Sequence, residues 1–222
     1  MSARNLLTDP LCHAEDLGSP IPPTPYGVSV CLPRWEHVIG YEEGDPKVVE
    51  KFQSGYPRFF VPPAIAALFA AAEKECAQRG EKALVFPRAI HAERCGDFVQ
   101  RVAGASCRVA EFGGDNLGVA LVPEAAYKTA RRFWRFCGEV VSTRQSEAAL
   151  GAHESASIEN GERACDAIRQ RLADLTSQRA EDVFLFPSGM AANYAVHRMV
   201  TSLMPHRKTV QLDFPYVDVL KL

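Results

Sequence analysis

The sequence predicts an α/β protein, and three observations carry that expectation. Residues 64–136 alternate helix-forming runs with short apolar runs bounded by glycine and proline. A second alternation begins near residue 164, where an amphipathic helical pattern precedes the apolar run Val183-Phe184-Leu185-Phe186. The polar connection between them, residues 139–161, carries neither pattern.

The elements follow in order. Residues 1–25 read as an irregular tail or surface strap, because Pro20, Pro22, Pro23 and Pro25 each restrict the residue before them. The next segment holds turn residues at Gly44-Asp45-Pro46 and Gly55-Tyr56-Pro57. Its aromatic anchors are Trp35, Tyr41, Tyr56, Phe59 and Phe60, too many for a free linker. Residues 64–79, rich in Ala, Glu and Lys, form a helix that stops at Gly80. Residues 83–86 form a strand, and residues 89–102 a helix ending near Gly104. Residues 107–112 and 117–122 form a hairpin or strand pair around Gly113-Gly114-Asp115-Asn116. Pro123 opens a helix over 124–136, where its missing N–H costs little. In the second half Ala164, Ile168, Leu172 and Leu175 share one helical face. Residues 183–186 form a buried strand, Pro187-Ser188-Gly189 a sharp turn, residues 190–204 a helix and residues 209–214 a second strand.

The 222 residues allow one sizeable domain or two small ones. A formal net charge of −2 gives no footprint for nucleic acid or anionic lipid. The longest apolar run, residues 61–72, falls short of the roughly 20 residues a bilayer-crossing helix needs. The N-terminus lacks the apolar core of a secretory signal. Seven widely spaced cysteines without a CxxC pair argue against a disulfide framework or a zinc site and fit a reducing, cytoplasmic compartment. His37, His91 and His197 have no partners at metal-ligand spacing, and Glu42-Glu43-Gly44-Asp45 reads as a solvated turn.

The chemistry-bearing feature is the turn into the 190–204 helix. A strand that runs into a helix through Pro187-Ser188-Gly189-Met190 presents unpaired backbone N–H groups at the positive end of the helix dipole. A phosphate can sit there, with Ser188 offering a hydroxyl and Gly189 allowing close approach. Ser188 is equally a good helix N-cap, and most such turns bind nothing.

The run LFPSGMAAN, residues 185–193, resembles the cofactor-phosphate turn of the Cys/Met-metabolism family of pyridoxal-phosphate enzymes. The runs GYEEGDPKVVEKFQSGYPRFF, FWRFCGEVVSTRQSE, EDVFLFPSGMAAN and VQLDFPYVDVLKL are similar to the fungal-type branch of cystathionine γ-synthase, and together they span most of the chain from residue 26 onward. The resemblance implies an N-terminal α/β extension over residues 26–140. Residues 141–222 would then begin a fold type I, aspartate-aminotransferase-like large domain with a mainly parallel sheet. It implies pyridoxal 5′-phosphate as cofactor, with Gly189 and Met190 binding its phosphate through backbone N–H groups beside Ser188. The family's Tyr-x-Arg motif, which grips the phosphate from a neighbouring subunit, corresponds to Ser142-Thr143-Arg144. The arginine is kept and the tyrosine is lost. Tyr216 stands where family members stack a tyrosine over the pyridine ring, although Val217 and Asp218 replace the glycines that usually follow.

The implied activity is γ-replacement of an O-acylhomoserine with cysteine, in a homo-oligomer, dimer or tetramer, acting on small amino acids. An O-acylhomoserine sulfhydrylase, a γ-lyase and a non-catalytic module paired with a full-length partner remain alternatives. None of Lys47, Lys51, Lys74, Lys82, Lys128, Lys208 or Lys221 stands in the family's Schiff-base lysine motif. The chain is therefore expected to be the N-terminal part of such an enzyme and inactive alone.

Overall fold

The protein is described here from a computed structural model, which covers residues 4–24, 26–55, 60–152, 158–205, 207–214 and 216–221. Tyr56 and Phe59, with most of the Gly55-Tyr56-Pro57 turn, lie outside the described residues, as do Pro25 and Pro215.

The N-terminal segment is a strap. The two-residue strands β1 (Pro20–Ile21) and β2 (Ser29–Val30) pair antiparallel. Gly18 donates its N–H to the Cys31 carbonyl at 3.0 Å and accepts from the Gln53 amide at 3.0 Å. Gly18 sits at φ +82°, where a Cβ would lie 2.0 Å from the Lys51 carbonyl oxygen, so only glycine permits this crossing. Arg4 ties the start of the strap to the buried Asp16. Helix α1 (Trp35–Glu43) ends on left-handed Gly44, and Asp45 caps α2 (Pro46–Val49) by accepting the Lys47 amide at 2.9 Å. The acidic run read as a solvated turn is thus a stop signal followed at once by a start signal.

The central unit is built from α3 (Pro63–Cys76), β3 (Glu81–Phe86), α4 (Ala89–Ala103), β4 (Arg108–Phe112), β5 (Leu117–Pro123) and α5 (Tyr127–Phe136). The sheet has three strands in the order β3-β5-β4. Strand β5 is antiparallel to both neighbours, pairing Leu84 with Ala120 on one side and Ala110 with Val119 on the other. Strands β3 and β4 therefore run parallel with β5 between them, and α4 makes the crossover. Every residue from Leu117 to Val122 is buried, so both faces of the sheet are covered. Trp134 is the largest fully buried side chain. Its Nε1–H donates to the Val85 carbonyl at 3.2 Å, and its ring meets Phe69 edge-on at 5.6 Å. Glu73 clips α3 to β3, accepting from Lys82 Nζ at 2.9 Å and from the Ala83 amide at 3.2 Å.

Beyond Cys137 the chain is helical and loosely covered. Helices α6 (Thr143–Ala149), α7 (Ile158–Thr176) and α8 (Gly189–Leu203) form, and a 3-10 turn spans Val217–Lys221. Here the structure corrects two expectations. Residues 183–186 and 209–214 are not strands, and no parallel sheet is present among the described residues. Phe184 is 77% exposed and Phe214 fully exposed, not buried. The physical reason is pairing: a strand needs a neighbour for its N–H and C=O groups, and none of the described segments runs beside either run. Helix α7 forms where its periodicity places it, but Ile168, Leu172 and Leu175 on its apolar face are exposed.

Candidate functional site

The α8 start is held by its own cap and by a glycine from the central unit. Ser188 is extended at φ −155° and ψ 160°, and its Oγ accepts the Ala191 N–H at 3.1 Å. The same hydroxyl donates to the Gly138 carbonyl at 3.3 Å. Gly138, just past α5, is left-handed at φ +72°. A Cβ there would lie 2.3 Å from the Ala191 nitrogen and 2.7 Å from Ser188 Oγ. Backbone packs on backbone here, which ties α8 to the sheet-bearing unit.

The remaining first-turn donors are the Gly189 and Met190 amides, which have no hydrogen-bond partner among the described residues. Gly189 is exposed, and a Cβ on it would meet nothing within 4 Å. No acidic side chain occupies the first turn. The turn is therefore open on the Gly189 side and closed on the Ala191 side. It offers two N–H groups and a helix dipole to an anion. Ser188's hydroxyl is already engaged twice.

Arg144 lies in the first turn of α6, exposed, with its guanidinium 4.2 Å over the Tyr26 ring. Tyr26 in turn donates its hydroxyl to Glu147 Oε2 at 2.9 Å, which holds its phenol above the usual pKa. Among the described residues Arg144 makes no ion pair with a carboxylate and no hydrogen bond to the Ser188–Met190 turn. Ser142, the residue in the tyrosine's place, caps α6. It accepts the Gln145 amide at 3.1 Å while Gln145 Oε1 accepts the Ser142 amide at 3.0 Å. Tyr216 is half exposed, and its carbonyl accepts from Val219 at 3.0 Å at the entry to the final 3-10 turn.

One group of residues escaped the sequence reading. Buried Glu139 binds Arg94 at 2.7 Å and lies 3.9 Å from His91 Nε2. Burial, assisted by Arg94, Arg88 and Arg198 and opposed by Glu139, lowers the His91 pKa. Burial also pushes the nearby Tyr194 phenol and Cys137 thiol up, each to about 12. Glu139 lies in the run FWRFCGEVVSTRQSE. Nothing local marks it as buried, because its partners lie on α4.

Residues 64–142 match the family described as fungal trans-sulfuration enzyme, N-terminal domain. A cystathionine gamma-synthase-like enzyme of Amanita muscaria is 27% identical over 316 residues, covering 99% of this chain and 50% of its own. The cystathionine gamma-synthase of Saccharomyces cerevisiae is 31% identical over 151 residues, covering 60% of this chain and 24% of its own. That of Neurospora crassa is 25% identical over 333 residues, covering 93% and 54%. The chain thus spans about a quarter to about half the length of these relatives. The Amanita alignment is longer than this chain, so that relative carries residues with no counterpart here. No solved structure matches the chain significantly. The family match thus lies on the central unit, and the chain as a whole is similar to fungal cystathionine gamma-synthases and cystathionine gamma-synthase-like enzymes.

Proposed function

We propose that this chain forms the phosphate-holding end of a pyridoxal-phosphate enzyme of the transsulfuration type, a cystathionine γ-synthase acting in the cytoplasm. The observation that carries the reading is the α8 start: two unpartnered amides on an exposed glycine turn, in a chain homologous to fungal cystathionine gamma-synthases. The residues present fit a phosphate at that turn, since Gly189 leaves open space and no carboxylate stands in the first turn. When bound, the cofactor supplies an electron sink for the substrate's α-carbon.

In this reading Gly189 and Met190 donate their N–H groups to the phosphate, and Ser188 keeps the turn in shape. Arg144 grips the phosphate of a neighbouring protomer in a homo-oligomer, and Tyr216 stacks against the ring. Tyr26, held by its bond to Glu147, stacks on the Arg144 guanidinium and keeps it in place, and no ion pair of Arg144 with a carboxylate is present among the described residues. Residues 26–140 form the N-terminal extension. Residues 141–222 belong to a fold type I large domain whose strands pair only when their neighbours are supplied. No lysine here stands in the Schiff-base motif, so the 222 residues hold the cofactor without a covalent bond and are inactive alone. The full enzyme performs γ-replacement of an O-acylhomoserine with cysteine.

The test is equilibrium binding of pyridoxal 5′-phosphate and of pyridoxal to this chain, with Gly189→Val and Arg144→Gln as variants. The expected result is binding that needs the phosphate, weakens in both variants and gives no imine absorbance that survives lysine replacement. Equal binding of pyridoxal, or an imine band that persists after each lysine is replaced, would overturn the reading.

A further inference from the structure

We propose that the open cleft bordered by α4, α5, α8 and the final 3-10 turn is a binding site for a small ring-bearing oxyanion, separate from the Ser188–Met190 turn. The cavity has a volume of about 370 Å³, within the size range of small-molecule clefts. Its lining holds three arginines, Arg101 from α4, Arg132 from α5 and Arg198 from α8, with His197 of α8 beside them. Among the described residues that line it, none is acidic. Lys221 also borders the cavity, but Asp218 neutralises it at 2.7 Å, and it adds no free charge.

What sets these arginines apart is their gathering at one cavity, where Arg198 lies 5.3 Å over the Tyr194 ring. Elsewhere in the chain Arg4, Arg94, Arg108 and Arg179 each bind a carboxylate within 3 Å. Arg101, Arg132 and Arg198 form no ion pair among the described residues. Arg101 engages only its Nε–H, with the Asp97 carbonyl at 3.3 Å. The Arg198 Nε is buried without a hydrogen-bond partner. The nearest buried carboxylate, Glu139, is already committed to Arg94. In a chain whose formal net charge is −2, such a gathering is not general basicity.

Like charges brought together at a half-apolar surface repel, and an oxyanion between them removes that cost. Guanidinium groups suit phosphate or carboxylate oxygens in a way a diffuse counter-ion cannot match. The rest of the lining specifies the body of the ligand. Phe98, Phe136 and Tyr194 border the same space and give it an aromatic wall, Tyr194 beneath the Arg198 guanidinium and Phe136 beneath Lys221. His197 lies eight residues beyond Gly189 on α8, which is about 12 Å along the helix axis. No residue is shared with the turn, and the inference does not depend on the proposed function.

The experiment is isothermal titration of the 222-residue chain with phenyl phosphate, with benzyl alcohol as the neutral control. Saturable binding of phenyl phosphate alone is expected. It should weaken as salt screens the charges, and by about tenfold in Arg101→Gln/Arg132→Gln, where two charge-assisted contacts are lost. Gly189→Val and Arg144→Gln should leave the component that depends on Arg101 and Arg132 unchanged. Both cavity arginines are exposed, so the double variant should fold. If it does not, the same comparison with Arg132→Gln alone decides. Absence of binding, equal affinity in the arginine variants, or loss of the arginine-dependent component in Gly189→Val would each overturn the proposal.

Discussion

Replacing Gly138 by alanine should loosen α8 from the central unit while leaving the sheet intact. Two costs add. The residue sits at φ +72°, and holding an L-residue with a Cβ in the left-handed region costs about 1–2 kcal/mol. The new Cβ would also lie 2.3 Å from the Ala191 nitrogen, roughly 1 Å inside an ordinary contact. The obstacle is backbone in the first turn of α8, so no side chain can swing aside. Relief requires the helix start to back away, which breaks the Ser188 hydroxyl to Gly138 carbonyl bond, worth about 0.5–1.5 kcal/mol. The sum is about 1.5–3.5 kcal/mol, centred near two orders of magnitude in a local opening equilibrium. Hydrogen exchange reads it directly. The Ala191 amide, now protected by Ser188 Oγ, should exchange about a hundredfold faster, while amides of β5 should keep their protection. Gly114→Ala is the control, since a Cβ there meets nothing within 4 Å. If α8 exchanges no faster in Gly138→Ala than in Gly114→Ala, the argument for backbone-on-backbone docking is wrong.

The pH dependence of stability should carry a His91 component. Its pKa is lowered in the folded state from the ordinary 6.5, chiefly by burial. Below that value the unfolded chain takes up a proton that the folded chain resists, so stability falls as pH drops from 6.5. Urea unfolding across this range should show the loss, and His91→Gln should flatten it; an unchanged slope would contradict the assignment. The cysteines should separate by reactivity. Exposed Cys12 should react fast with a disulfide reagent, whereas Cys137, raised to about 12 by burial, and buried Cys95 should react only on unfolding. Rapid native labelling of Cys137 would show that the α5–α8 junction is open.

The central unit was legible because its signals are local. Helix 64–79 read from composition and its Gly80 stop appears as Pro63–Cys76, and the apolar run at 83–86 lies within Glu81–Phe86. The Gly113-Gly114-Asp115-Asn116 turn marked the hairpin of β4 and β5, and the Ser188 cap marked α8 within a residue. The misreadings share one cause. An apolar run such as Val183-Phe184-Leu185-Phe186 states a preference for burial, not the identity of the strand beside it, and no strand pairs with it among the described residues. The contacts missed around the candidate site are all long-range: Tyr26 to Arg144 and Glu147, Glu139 to Arg94, Ser188 to Gly138. A periodicity argument cannot see a pair separated by fifty or a hundred residues.

The serine at 142 looks like a loss when the chain is set against the Tyr-x-Arg pattern it resembles, but the structure gives that residue another task. A tyrosine at the N-cap could not accept the Gln145 amide as the short Ser142 hydroxyl does, which would leave only the bond from the residue-142 backbone amide to Gln145 Oε1. The cap starts α6, and α6 is what sets Arg144 and Glu147 one turn apart on a shared face. Tyr26, arriving from the N-terminal strap, then stacks on the arginine and bonds the glutamate together. An aromatic ring thus stands beside Arg144 despite the substitution. It is supplied from over a hundred residues away by a segment whose own position depends on the Gly18 crossing. The strap consequently acts on the candidate site even though it contributes nothing to the sheet, because it fixes where the arginine's charge is held.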